Sequence, residues 1–189
     1  MIDPGDELLV MSFNLRRGSE DAWPRRRPVM AELLRRAQPT VLGTQEGLYE
    51  QLRDIHRDLP DHYDWLGVGR AGGSRDEFAA VFFDTRRVEP VAFDHFWLSD
   101  TPSVIGSRTW GNDVIRMATW VRFADLRTGR EFVVLNTHFD HRSENARRRG
   151  AALVRDRVNE FEVPVVVTGD FNAPTGSVTY DILVSGAGL

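Results

Sequence analysis

Val165-Val166-Val167-Thr168-Gly169-Asp170-Phe171-Asn172-Ala173-Pro174 is the stretch on which the fold turns. Four β-branched residues in a row suit a buried strand. Glycine, aspartate, asparagine and proline then stop that strand at a tight polar turn. A carboxylate and a carboxamide thus stand two residues apart at a rigid strand end. Three earlier segments repeat the layout. Asn14 follows the apolar run 9–13, Glu46 follows 41–45, and His138 follows 133–137, with Asp140 and His141 close behind.

The rest of the chain supports a mixed architecture. Residues 24–37 read as a helix with Val29, Met30, Leu33 and Leu34 on one side and arginines on the other. Residues 46–59 predict a second helix, with Leu48, Leu52, Ile55 and Leu59 spaced by three or four. Stretches 63–68, 78–83 and 88–98 read as strands. Residues 115–126 alternate, and Thr128-Gly129 turns them into 131–137, the pattern of a β-hairpin. Ser143 is a fair N-cap for a helix carrying Ala146, Leu153, Val154 and Val158. The order β-α-β-α, then consecutive strands, then α-β argues against a purely doubly wound sheet. It predicts an α/β protein of two mixed β-sheets packed face to face with helices outside.

Composition sets the bounds. The 189 residues, 41% hydrophobic and 28% charged, predict one soluble globular domain. No apolar stretch is long enough to span a bilayer. Met1–Asp6 lacks the basic start and apolar stretch of a signal peptide, so a cytoplasmic protein is expected. The chain has no cysteine, which excludes disulfides, cysteine nucleophiles and thiolate zinc sites. All 24 basic residues are arginine, which removes Schiff-base chemistry and a P-loop lysine. The net charge of −4 tilts the expected partner away from duplex DNA, towards a small-molecule or lipid-derived phosphate ester. Arg25-Arg26-Arg27 and Arg147-Arg148-Arg149 are read as solvated helix faces.

Each strand-end residue has an ordinary explanation. Asn14, Asp170 and Asn172 suit turns, Glu46 suits the first turn of a helix, and His138 suits a core histidine bonded to backbone. Their coincidence at four strand ends is what points to chemistry, because strand ends hold side chains rigidly and ligands of α/β proteins bind there. Carboxylate and carboxamide oxygens without thiolates suit Mg²⁺, with Mn²⁺ as a substitute. Glu46 is the expected direct ligand, with Asn14 beside it. Asp170 would orient or deprotonate the attacking water, and Asn172 and His138 would donate to phosphoryl oxygens. Two other readings stay open: a phosphate-binding or assembly module without catalysis, and a glycosidase using Glu46 and Asp170.

Ser12-Phe13-Asn14, Gln45-Glu46, Asn136-Thr137-His138 and Gly169-Asp170-Phe171-Asn172 together resemble the motifs of the endonuclease/exonuclease/phosphatase family, in family order. The resemblance implies a four-layer α/β sandwich with the site between the sheets. It implies a Mg²⁺-dependent phosphoesterase, with a nuclease acting on DNA or RNA as an alternative. It places Asn14 and Glu46 at the metal, His138 at the phosphate, and Asp170 and Asn172 at the water. Phe96-Trp97-Leu98-Ser99-Asp100-Thr101-Pro102, with Trp110 and Arg116 after it, resembles the branch of bacterial phosphoesterases and deadenylase relatives. Arg116, Asp140 and Trp110 are the expected substrate contacts, while Trp97 is read as core. Members of that family go on to a Ser-Asp-His segment, whereas the last histidine here is His141 and the chain stops at Gly188-Leu189. The expectation is a domain truncated at its C-terminus, with weak or absent hydrolysis alone and an exposed sheet edge open to self-association.

Overall fold

Consecutive residues of the central strands go to different cores, and this alternation builds the layers. The structure is a computed structural model that describes residues 7–17 and 22–185. The expectations resting on Met1–Asp6 and on Gly188-Leu189 lie outside the described residues. The element order is β1(Val10–Asn14), α1(Trp23–Ala37), β2(Val41–Gln45), α2(Tyr49–Asp58), β3(Tyr63–Leu66), β4(Val81–Asp84), β5(Val88–Trp97), β6(Met117–Asp125), β7(Glu131–His138), α3(Glu144–Val158), β8(Val165–Asp170) and α4(Val178–Val184). One sheet runs β1-β2-β4-β3 and the other β5-β6-β7-β8.

Three apolar clusters separate four layers. Leu42 and Phe82 face Met30, Leu34, Leu52 and Ile55 of α1 and α2. Their neighbours Val41, Val81 and Phe83 face Val121, Phe123 and Val134 of the other sheet. Leu135, next to Val134, faces Ala146, Ala151 and Val154 of α3. A strand buried on both faces is apolar at successive positions, which is why residues 41–43 and 133–135 show no polar alternation. The two-sheet sandwich with outer helices is therefore as expected. Among the described residues no helix is long and apolar enough to cross a membrane.

Local signals behave as their chemistry dictates. Ser143 Oγ accepts from Ala146 N–H at 3.1 Å and caps α3. The β6–β7 hairpin forms around Thr128-Gly129, with Gly129 at a φ of 69°. Two expectations change. On α1 the core face is Met30 and Leu34, one helical turn apart, whereas Val29 and Leu33 are rotated outwards and are 72% and 38% exposed. The second helix starts at Tyr49, so Glu46 lies before it in the β2–α2 turn rather than in a first helical turn. The structure also adds α4, in the β-branched run Val178-Thr179-Tyr180-Asp181-Ile182-Leu183-Val184, capped by Ser177 and packed on α3.

Each sheet contributes one parallel pair, β1 with β2 and β7 with β8. Parallel partners end at the same sheet edge. Asn14, His138 and Asp170 close β1, β7 and β8, and Glu46 is the first residue after β2. The stacking of the sheets brings all four together.

Candidate active site

Asn14 ties the two sheets at this edge. Its Nδ2 donates to Glu46 Oε1 at 3.0 Å and to Asp170 Oδ2 at 2.9 Å. Its Oδ1 accepts from Arg16 N–H at 2.7 Å. Asn14 thus gives the carboxylates its N–H groups, whereas the sequence suggested an oxygen ligand beside Glu46; the turn at Arg16 folds a backbone donor onto that oxygen. Glu46 Oε2 accepts from Arg17 N–H at 2.7 Å. Glu46 has a φ of 61°, a left-handed conformation that costs a residue with a side chain about 1–2 kcal/mol. These hydrogen bonds and the packing of Gly47 against Leu15 and Leu52 hold it there.

Charge at the site is fixed by competing effects. Burial pushes the Glu46 carboxyl up, but the Asn14 and Arg17 hydrogen bonds outweigh it and hold the group below its ordinary value. Asp170 behaves alike: burial raises it, and bonds from Asn14 and from Asn172 N–H hold it low. Both are carboxylates at neutral pH. His138 is pushed down to about 4, first by burial and then by the Arg116 charge. It is neutral at pH 7, so its 3.9 Å approach to Asp170 is not an ion pair.

The other half of the site is made of donors. Arg116 Nη1 lies 2.8 Å from His138 Nδ1, and Nη2 lies 3.3 Å from His141 Nδ1. Arginine only donates, so Nδ1 of His138 accepts and the ring proton sits on Nε2. There it meets Asn172 Nδ2 at 3.1 Å. The Asn172 amide cannot be turned, because the same Nδ2 donates to Phe139 O at 3.0 Å. Two N–H groups therefore face each other. Arg116 is also buried and its Nε has no partner among the described residues. This corner has more donors than acceptors.

One oxygen or nitrogen each of Glu46, His138 and Asp170 lies within 4.8 Å of the others. The two ionised carboxylates at that spacing fit a hard divalent cation, while His138, with its proton on Nε2 and its Nδ1 taken by Arg116, stands beside them as a donor and not as a ligand. Of the remaining expected residues, Arg116 belongs to the site. Asp140 is buried beside it, its Oδ1 accepting from Arg142 N–H at 2.9 Å and Ser143 N–H at 2.6 Å. Trp110 is in the core under α3, with Nε1 donating to Asp100 Oδ1 at 2.8 Å. Trp97 is core as expected, 4% exposed, and its Nε1 donates to Arg70 O at 2.7 Å. Sequence reasoning missed Arg70 and Glu77, which line the same cleft as Glu46, Arg116 and His138 and pair at 2.7 Å. Neither sits at a strand end. The available signal was a charged doublet, Asp76-Glu77, set directly before the apolar run 78–83.

The endonuclease/exonuclease/phosphatase family matches residues 11–189. No curated protein matches the chain. A mannosyl-6-phosphatase of Bacteroides thetaiotaomicron is 36% identical with a TM-score of 0.90, over 95% of this chain and 70% of that one. An endonuclease/exonuclease/phosphatase protein of Bacteroides vulgatus is 35% identical with a TM-score of 0.88, over 93% of this chain and 69% of that one. The human Nocturnin catalytic domain shares the fold at 20% identity and a TM-score of 0.72, over 89% of this chain and 64% of that one. The chain belongs to the endonuclease/exonuclease/phosphatase family.

Proposed function

We propose that the chain is a divalent-cation-dependent phosphoesterase whose substrate is the phosphate ester of a small molecule, with a phosphorylated sugar as the leading class. Family membership supports the reaction class, and the 36%-identical mannosyl-6-phosphatase supports the substrate class. The observation that carries the reading is the surplus of donors. Arg116 Nη1 donates to one ring nitrogen of His138, Asn172 Nδ2 faces the N–H of the other, and among the described residues no group accepts from Arg116 Nε. A phosphoryl group brings several acceptor oxygens and negative charge, and relieves that surplus.

Mg²⁺ or Mn²⁺ held by Glu46 and Asp170 would polarise a phosphoryl oxygen and offset charge on the leaving oxygen. Asn14 keeps the two carboxylates at one spacing. Asp170, held ionised and weakly basic, orients the attacking water more than it deprotonates it. Arg116, His138 and Asn172 hold the phosphoryl oxygens and take up charge as it develops. Asp140 and Trp110 support this wall from behind and do not touch the substrate. The site draws on both sheets, so the chain is assigned to one domain.

The glycosidase reading loses ground on charge, since such a pair needs one carboxyl kept protonated and here both are held low. The test is release of inorganic phosphate from mannose 6-phosphate with Mg²⁺, Mn²⁺ or chelator, beside a generic phosphodiester and single-stranded DNA. Metal-dependent release from the sugar phosphate is expected. Cleavage of the diester or DNA without it would favour the nuclease alternative. No turnover and no binding of inorganic phosphate with metal present would sink the phosphoesterase reading.

A further inference from the structure

Residues 98–116 leave β5, cross the surface and return as β6, and their last residue is Arg116. The ends of this excursion are joined by Leu98 N–H donating to Arg116 O at 2.8 Å. Its body is fastened to α3. Asp100 Oδ1 accepts from Trp110 Nε1 at 2.8 Å and from Arg149 Nη1 at 2.8 Å. Asp100 Oδ2 accepts from Thr109 Oγ1 at 2.8 Å, and that hydroxyl in turn accepts from Asp100 N–H at 2.8 Å. Trp110 O accepts from Asn145 Nδ2 at 3.0 Å, and the Arg149 guanidinium lies over the Trp110 ring, 5.7 Å from its centroid. Asn145 and Arg149 are four residues apart, so one face of α3 makes both attachments.

The root of α3 is the other half of the geometry. His138 and His141 precede its cap, Ser143, and Asp140 fixes the intervening turn by accepting from Arg142 N–H and Ser143 N–H. The excursion carries Arg116, and the root of α3 carries the two imidazoles it touches. Those two segments are held together at a second place by Asp100, Trp110, Asn145 and Arg149. The Asp100–Arg149 pair alone is too exposed, 57% and 52%, to matter much for stability. Its place in the chain gives it a different use.

We propose that Asp100 and Trp110 are positioning residues that set Arg116 against His138, and so set the affinity of the site for phosphate. This rests on the phosphoesterase reading for its ligand but not for its geometry. The carboxylate half of the site is reached by none of these contacts, so metal affinity should be indifferent to them.

The experiment is a double-mutant cycle read by calorimetry, with inorganic phosphate as probe in the presence of Mn²⁺. Asp100→Ala should weaken phosphate binding roughly five- to tenfold and leave the Mn²⁺ affinity of the phosphate-free protein unchanged. Trp110→Phe keeps an aromatic ring under Arg149 and removes the indole N–H together with the five-membered ring. It should give a smaller loss in the same direction, and it serves if Asp100→Ala does not fold. In an Arg116→Ala background, Asp100→Ala should change phosphate affinity by less than about twofold, because its effect runs through that side chain. Equal losses with and without Arg116 would overturn the proposal, as would no loss in either single variant. Hydrogen exchange separates the two readings. If the parent protein binds no phosphate, the phosphoesterase reading fails, and positioning is judged by whether Asp100→Ala speeds exchange at 114–118 and 138–143. Faster exchange confined to 99–110 would overturn it.

Discussion

Asn136 and His138 lie two residues apart on the same strand and point the same way, yet their surroundings differ in one respect. The Asn136 side chain itself is fully matched. Its Oδ1 accepts from Gln45 Nε2 at 2.7 Å and Thr168 Oγ1 at 3.1 Å. Its Nδ2 donates to Thr44 O at 2.8 Å and Ala80 O at 2.9 Å. That exhausts the capacity of an amide, two lone pairs and two hydrogens. Gly43 makes room for it, since a Cβ there would stand 2.4 Å from Thr168 Oγ1 and 2.7 Å from Asn136 Oδ1. Around His138 the donors outnumber the acceptors. The matched cluster staples the two sheets together, and the mismatched one above it is shaped for a group from outside. Between these two side chains, polar satisfaction rather than polarity separates scaffold from site.

The largest expected effect is on the carboxylate half. Glu46→Gln keeps the shape and a hydrogen-bond acceptor but removes the charge. Phosphate release should fall about a thousandfold, which is about 4 kcal/mol of transition-state stabilisation. The melting temperature should barely move. A retained rate, or a large drop in thermal stability, would place Glu46 with the scaffold instead. Asn136→Ala should do the reverse. It takes a partner from two carbonyls, the Gln45 amide and the Thr168 hydroxyl, all deep between the sheets, although Ala80 O keeps Thr44 N–H and the Gln45 amide keeps Ser12 Oγ. A loss of about 3–4 kcal/mol, roughly 10 °C in melting temperature, is expected by thermal or urea unfolding.

Both clusters were visible in the sequence as motifs, but not as different kinds of motif. Strand ends were legible because an apolar run followed at once by Asn, Glu, His or Asp has few physical readings. Gln45 and Asn136 were legible only as neighbours of Glu46 and His138, since their partners come from the opposite sheet 91 residues away. Arg70 and Glu77 left no signal beyond the Asp76-Glu77 doublet, because a buried ion pair leaves no periodic trace. The outward turn of Val29 and Leu33 was missed because a hydrophobic pair beside Met30 and Leu34 fixes a helix, but α2 covers only one strip of it. The helix of α4 was missed because β-branched residues argue for strand, and the Ser177 cap and packing on α3 override them.

Protonation sharpens the comparison on the His138 side. In the unfolded chain this imidazole titrates at its ordinary 6.5, and in the folded one at about 4. Above pH 6.5 both states are neutral and stability does not depend on it. As pH falls from 6.5 to 4 the unfolded chain takes up the proton and the folded one does not, so stability is lost across that window. The loss should approach about 3 kcal/mol in metal-free protein. His138→Gln should flatten that part of a stability-versus-pH curve, and an unchanged slope would mean that the imidazole is not held neutral. Arg116→Met goes the other way in sign. Arg116 is a buried cation bonded to two imidazoles, with one N–H unmatched. Removing it should leave metal-free stability unchanged or raise it by about 1 kcal/mol in urea unfolding, while phosphate affinity falls.

Thr168→Val is the smallest change and the finest test of what the lower cluster does. Valine has nearly the shape of threonine, so the packing between the sheets is kept and the 2.4 Å limit above Gly43 is not relaxed. What disappears is one of two donors to Asn136 Oδ1, and the Gln45 amide at 2.7 Å still satisfies that oxygen. No buried group is stranded. The cost should be that of one hydrogen bond, about 0.5–1 kcal/mol, with no change in phosphate affinity. A loss as large as that of Asn136→Ala would mean that the hydroxyl itself aligns the sheets. A change in phosphate affinity would mean that strain passes from the Asn136 cluster up β7 and β8 to His138 and Asp170, and that scaffold and site are not separate after all.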